Sequence, residues 1–187
     1  MNNASEQFEK ISIVKEILIN ASKELYQNDF VLIKRGLSER TICARLSFWV
    51  ETQMRKHKIL DNYYCDVEFN RMIWNERNSI KTIKNQNKVL DLIIHSRGKL
   101  TLDNLLVLEM KKVNGTDKEA DRNKLKRLTD NKNVNDEPRF LIGVYYEYDC
   151  DGLLIEYYEN GEKLDRKKYV INNQRIADKE CSGLFEK

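Results

Sequence analysis

The stretch KVLDLIIHSRGKLTLDNLLVLEMK, residues 88–111, carries two apolar runs of strand length, 88–95 and 104–111, joined by a turn-prone Ser96-Arg97-Gly98 region. Near-continuous apolarity predicts strands buried on both faces. Asp91 stands near the start of the first run, and Glu109-Met110-Lys111 closes the second. Side chains alternate along a strand, so Glu109 and Lys111 project the same way. If the two strands pair through the intervening turn, Asp91 comes close to Glu109. Two carboxylates and an ammonium brought together in this way suit a Mg²⁺ ion held against a phosphodiester. Mg²⁺ takes hard oxygen ligands and keeps several waters, so two carboxylates can anchor it while phosphate oxygens complete the shell. Such an ion neutralises phosphate charge and lowers the pKa of water. An adjacent lysine stabilises developing negative charge or orients the attacking water.

Outward from this pair, the chain reads as helix, helix, three strands, helix and a strand meander. Residues 5–27 have an amphipathic pattern in Phe8, Ile11, Val14, Ile17, Leu18, Ala21 and Leu25. That stripe predicts core packing, with a partner-binding helix as the alternative. Gly36 breaks the chain and Ser38 is a candidate N-cap for a second helix over 39–58. Glu39 falls near the middle of that helix's apolar stripe (Ile42, Cys43, Leu46, Trp49, Val50), so an acid points inward. Residues 63–72 predict a further strand and 73–87 a polar loop. Thr116 to Glu119 has the form of a capping box opening a third helix, to about residue 130. Strands are expected over 139–148, 153–159 and 167–172, with hairpin turns at Asp151-Gly152 and Asn160-Gly161. A single α/β domain with a mixed sheet follows: an N-terminal helix (5–27), a core (37–148) and a C-terminal hairpin extension (149–187).

The bulk composition narrows the function classes. The chain has 187 residues, 33 basic against 30 acidic, and a net charge of +3. That excludes a wholesale polycation and leaves room for a local basic surface. The four cysteines, at 43, 65, 150 and 181, lack metal-finger or redox spacing. With no signal-peptide pattern at the N-terminus, free thiols in a reducing cytoplasm are expected. The two histidines, His57 and His95, have no neighbouring ligand residue, which argues against zinc. No apolar run reaches the length of a membrane span.

Asp91 followed by Glu109-Met110-Lys111 resembles the motif of the PD-(D/E)XK nuclease superfamily, the restriction-endonuclease-like fold. The order of helix, three strands, helix and strand between residues 39 and 148 is similar to that fold's core. The resemblance implies a Mg²⁺-dependent nuclease, with Mn²⁺ able to substitute. Asp91 and Glu109 would bind metal and Lys111 would act in catalysis. It also implies an acid on the first core helix that joins the metal shell, and Glu39 occupies such a place. Leu90 stands where the family name has proline. The backbone carbonyl of Met110 is a candidate additional ligand.

The expected substrate is nucleic acid, DNA rather than RNA, in a restriction or phage-defence setting. A protein partner or homodimer would supply recognition. Glu68 and Arg71 on the first strand, and Lys112 and Lys124 within the basic run 111–127, are candidate nucleic-acid contacts. The plainer alternatives are a structural salt bridge at 91/109/111 and a solvated basic helix face. At the level of function, the rival is a non-catalytic nucleic-acid-binding or assembly subunit that retains the fold.

Overall fold

The computed structural model describes residues 3–69, 89–132, 139–172 and 174–178. In chain order the elements are α1 (Asn3–Lys34), α2 (Glu39–Met54), a short 3₁₀ turn (Lys58–Leu60), β1 (Tyr64–Phe69), β2 (Leu90–His95), β3 (Asn104–Lys112), α3 (Lys118–Thr129), β4 (Ile142–Tyr148), β5 (Gly152–Glu159), β6 (Glu162–Asn172) and β7 (Arg175–Asp178). The seven strands form one sheet in sequential order. Every neighbouring pair is antiparallel except β3 and β4, which run parallel. A parallel pair needs a crossover, and α3 supplies it. Among the described residues no helix is long and apolar enough to cross a membrane.

The sheet is covered on both faces, which explains the near-continuous apolarity of its central strands. On one face, α1 and α2 insert Val14, Ile17, Leu18, Leu25, Ile42, Leu46 and Val50 against Leu92, Leu106, Leu108, Tyr146 and Ile155. On the other, Leu125 and Leu128 of α3 pack on Ile93, Val107, Tyr145 and Tyr158. The tyrosines at 145, 146, 148, 157 and 158 are all buried in these layers.

Helix α1 is longer than the 5–27 stretch its first apolar residues predict. Ile33 continues the stripe and is buried, so packing carries the helix on to Lys34. It ends in a Schellman arrangement: Gly36 N–H donates to Ile33 O, Leu37 N–H donates to Leu32 O, and Gly36 adopts φ +68°. Helix α2 starts where expected, with the Ser38 hydroxyl accepting from Thr41 N–H, but stops at Met54 rather than 58. The chain turns there so that Leu60 and Tyr63 can enter the core.

Helix α3 departs from its expected start. Its N-cap is Asp117, in left-handed conformation at φ 61°, and no side chain caps the helix. Thr116 therefore does not form the capping box with Glu119; its hydroxyl bonds Asp117 instead. The tight exit from β3 takes precedence over the local motif. The hairpin signals hold. Asn160 and Gly161 both have positive φ, as a type I′ turn requires, and Asp149 Oδ1 accepts from the N–H groups of Asp151 and Gly152. Because pairing resumes at once after Asn160-Gly161, β6 begins at Glu162 rather than 167. The short β7 adds a strand to the C-terminal extension beyond those expected. The predicted 73–87 loop, Arg71 and Cys181 lie outside the described residues.

Candidate active site

Strands β2 and β3 set the first two residues. Leu92 lies opposite Leu108 and Ile93 opposite Val107. Carrying that register one residue beyond Leu92 and Leu108 sets Asp91 across from Glu109, on the face that Ile93 and Val107 present to α3. Asp91 Oδ2 accepts a 2.8 Å hydrogen bond from the backbone N–H of Met110. The Asp91 carbonyl in turn accepts from Cys43 Sγ of α2 at 3.3 Å. Both ends of Asp91 are thus fixed, one to β3 and one to the first core helix.

Glu109 is 4% exposed. Its Oε1 lies 2.7 Å from the ammonium of Lys124 on α3. That contact is an ion pair by distance, yet Oε1 receives no well-directed hydrogen bond. Burial pushes the Glu109 carboxyl up to about 8, opposed by Lys124 and reinforced by the Asp91 carboxylate. Burial likewise raises Asp91, against the pull of the Met110 N–H and of Lys124.

Lys111, two residues beyond Glu109 on the same face, turns to Asp121 of α3 at 3.0 Å and approaches Glu39 Oε2 at 3.9 Å. Burial, the largest single influence, pulls its pKa down, but the carboxylates of Asp121, Glu39 and Asp91 together outweigh it and leave it raised. Glu39 spends its other oxygen on the end of β3, accepting from Lys112 N–H at 2.8 Å. The side chain of Lys112 reaches the Gly36 carbonyl at 2.9 Å. An inward-pointing acid at the start of α2 therefore does lie beside Lys111, partly exposed and tied to the backbone.

The remaining expected contacts divide. Glu68 sits in left-handed conformation at φ 49° and pairs with Arg40, next to Glu39. Asp66, a strand neighbour of Glu68, turns to the far end of β2, toward His95 Nε2 at 2.8 Å and Arg97 Nη2 at 2.6 Å. Lys124, expected on a nucleic-acid surface, is 6% exposed and sits between Glu109 and the Val89 carbonyl, to which it donates at 3.0 Å. The basic run on α3 is in large part a seam against the sheet. Lys118 meets Glu147 at 3.1 Å and Arg122 meets Glu156 at 2.7 Å, alongside Asp121–Lys111 and Lys124–Glu109.

Asp121 and Glu156 were not legible as site neighbours. A signal for the first exists: Asp121, Lys124, Leu125 and Leu128 follow helical spacing, so one stripe carries both the charges and the apolar anchors. The acid at 156 gives no such signal, because only pairing of β5 with β4 aligns it with Tyr145.

Among the described residues no three His, Cys, Asp or Glu side chains converge closely enough to hold a metal ion alone. Mg²⁺ does not require three: one or two carboxylates with water and substrate phosphate suffice. The opposed Asp91 and Glu109, with a buried Glu109 oxygen short of a well-directed donor, fit such a donor set. Comparison with protein-family models, curated proteins and solved structures finds no match to this chain.

Proposed function

We propose that this protein is a Mg²⁺-dependent nuclease that hydrolyses phosphodiester bonds, in DNA rather than RNA, on a restriction-endonuclease-like core. The observation that carries the reading is the bond of Asp91 Oδ2 to the N–H of Met110, the residue between Glu109 and Lys111 on β3. The order α2, β1, β2, β3, α3, β4, with its parallel β3/β4 pair, supports it.

Asp91 and Glu109 would hold the ion, with Mn²⁺ as a substitute and the Met110 carbonyl as the added ligand. Within a strand the N–H and C=O of one residue point to the same edge. The Met110 carbonyl therefore faces the edge at which its N–H meets Asp91. A bound Mg²⁺ supplies charge neutralisation at the phosphate and acidifies water. Lys111 is the residue that stabilises charge on the phosphate. Its raised pKa keeps the ammonium protonated at neutral pH, which suits an electrostatic role and not that of a base. Asp121 orients that ammonium at 3.0 Å, and Glu39 stands on its other side.

Cleavage of a panel of DNA and RNA substrates with Mg²⁺ and Mn²⁺ tests the reading. Wild type should cut, and Asp91→Ala and Lys111→Ala should not. Absence of cleavage by wild type across metals and substrates would overturn it. One observation favours the second reading, a non-catalytic subunit that keeps the fold. The charges of the cluster already serve to dock α3, Glu109 on Lys124 and Lys111 on Asp121. That reading predicts equal nucleic-acid binding by wild type and Lys111→Ala with no cleavage by either.

A further inference from the structure

Lys124 is an unusual residue to find where it is. A lysine ammonium is almost never fully buried unless paired. Here it lies 6% exposed, between one carboxylate oxygen of Glu109 at 2.7 Å and one backbone carbonyl, Val89 O, at 3.0 Å. Glu109 is as deeply buried, and an isolated carboxylate at such depth is costly. The two groups therefore hold each other in place.

The ammonium lies 2.7 Å from Oε1, a contact held by charge and not by a well-directed hydrogen bond, as is that of Lys111 with Asp121 Oδ2 at 3.0 Å. Among the described residues, Asp91, Glu109, Asp121 and Glu39 gather at the ends of β2, β3, α3 and α2, and the ammonium groups of Lys111 and Lys124 stand among them. Lys111 is engaged by Asp121 and stands away from Glu109, which leaves Lys124 as the cation on the acid opposite Asp91.

Building on the nuclease reading above, we propose that Lys124 is a resident cation that holds Glu109 in the metal-free protein and is displaced from it by the divalent ion. Lys124 is then a positioning residue: it holds the Glu109 side chain in place at the end of β3. Its ammonium leaves Oε1 when a doubly charged ion arrives, keeping its bond to Val89 O. A purely structural pair predicts the opposite response to mutation, because loss of Lys124 would then only loosen Glu109.

Metal affinity of the full chain, read by calorimetric titration with Mn²⁺ and by competition with Mg²⁺, distinguishes these. Lys124→Met should melt lower than wild type in chelator. It should nevertheless bind Mn²⁺ about tenfold more tightly, since the competing charge is gone. Lys124→Gln keeps a donor for Val89 O without the charge and should show the same gain if Lys124→Met does not fold. Lys124→Arg should keep the metal-free stability and bind Mn²⁺ no more tightly than wild type. Unchanged or weaker Mn²⁺ binding by both neutral variants, with normal binding by wild type, overturns the displacement proposal and leaves the nuclease reading standing. No binding by wild type sinks the metal site, and the displacement proposal with it.

Discussion

The carboxylate of Asp91 accepts a 2.8 Å hydrogen bond from the backbone N–H of Met110, the residue between Glu109 and Lys111. The bond ties the first residues of β2 to the last turn of side chains on β3. It spaces the acid of one strand against the acid and the lysine of the next, at the end of the sheet where α3 begins.

Asp91→Ala removes that acceptor and leaves a backbone donor without it. A loss of about 1–2 kcal/mol in unfolding free energy is expected, together with loss of metal-dependent cleavage. Asp91→Asn retains an acceptor for Met110 N–H and should fold with a smaller penalty, yet cut no better. Chemical denaturation alongside a cleavage assay separates the two effects; an Asn variant that cleaves normally would remove Asp91 from the metal site.

The pH dependence of stability should follow Glu109. Burial raises its carboxyl from the ordinary 4.5 to about 8, so the folded protein retains a proton that the unfolded chain has released. Folding then binds protons between those values, and stability falls as pH rises across that window. Melting temperature in chelator should decline by a few degrees from pH 5 to pH 8. Glu109→Gln should flatten that decline, although its absolute stability drops because Lys124 loses its acid. Parallel profiles for the two proteins would assign the dependence elsewhere.

Lys111→Met should lower the cleavage rate by about 10²–10³-fold, the range seen when a group aimed at transition-state charge is removed. Mn²⁺ affinity should change little, since Asp91 and Glu109 remain. Asp121→Asn should fall between the two: the ammonium stays but loses its 3.0 Å ion pair. Single-turnover rates with separate metal titrations provide the comparison.

Away from the site, Glu156 tests the docking of α3. It is 2% exposed and accepts from Arg122 Nε at 2.7 Å and Tyr158 Oη at 3.0 Å. Glu156→Ala leaves the Arg122 guanidinium without its carboxylate and should cost about 2–3 kcal/mol. The readout is urea denaturation, with Leu125→Ala as a purely apolar comparison on the same helix.

Tyr26 ties α1 to the β4/β5 turn, its hydroxyl donating toward Asp149 O at 3.0 Å and Gly152 O at 3.1 Å. Tyr26→Phe should cost about 1 kcal/mol with the fold intact. A fully neutral substitution in thermal unfolding would show that the helix is held by its apolar stripe alone.

Much of the architecture was written locally. The apolar runs around Asp91 and Glu109 gave two buried strands, Asn160-Gly161 a tight hairpin, and Ser38 the start of α2, because each rests on a residue's own backbone preference or on the period of its neighbours. The misjudged ends share a different cause. The close of α2 at Met54, the extension of α1 to Lys34 and the left-handed Asp117 are set by where the chain must go next.

Strand alternation, a property of the backbone, was enough to put Glu109 and Lys111 on one face of their strand. That β2 pairs with β3, and which cation meets which acid, came from the packed fold. The crossover from β3 to β4 lays α3 across the sheet, and packing of Leu125 and Leu128 fixes the helix's rotation. That rotation turns Lys124 onto Glu109 and Asp121 onto Lys111. Charges far apart along the chain attract without preference for one partner; the shape of the packed apolar layer chooses among them.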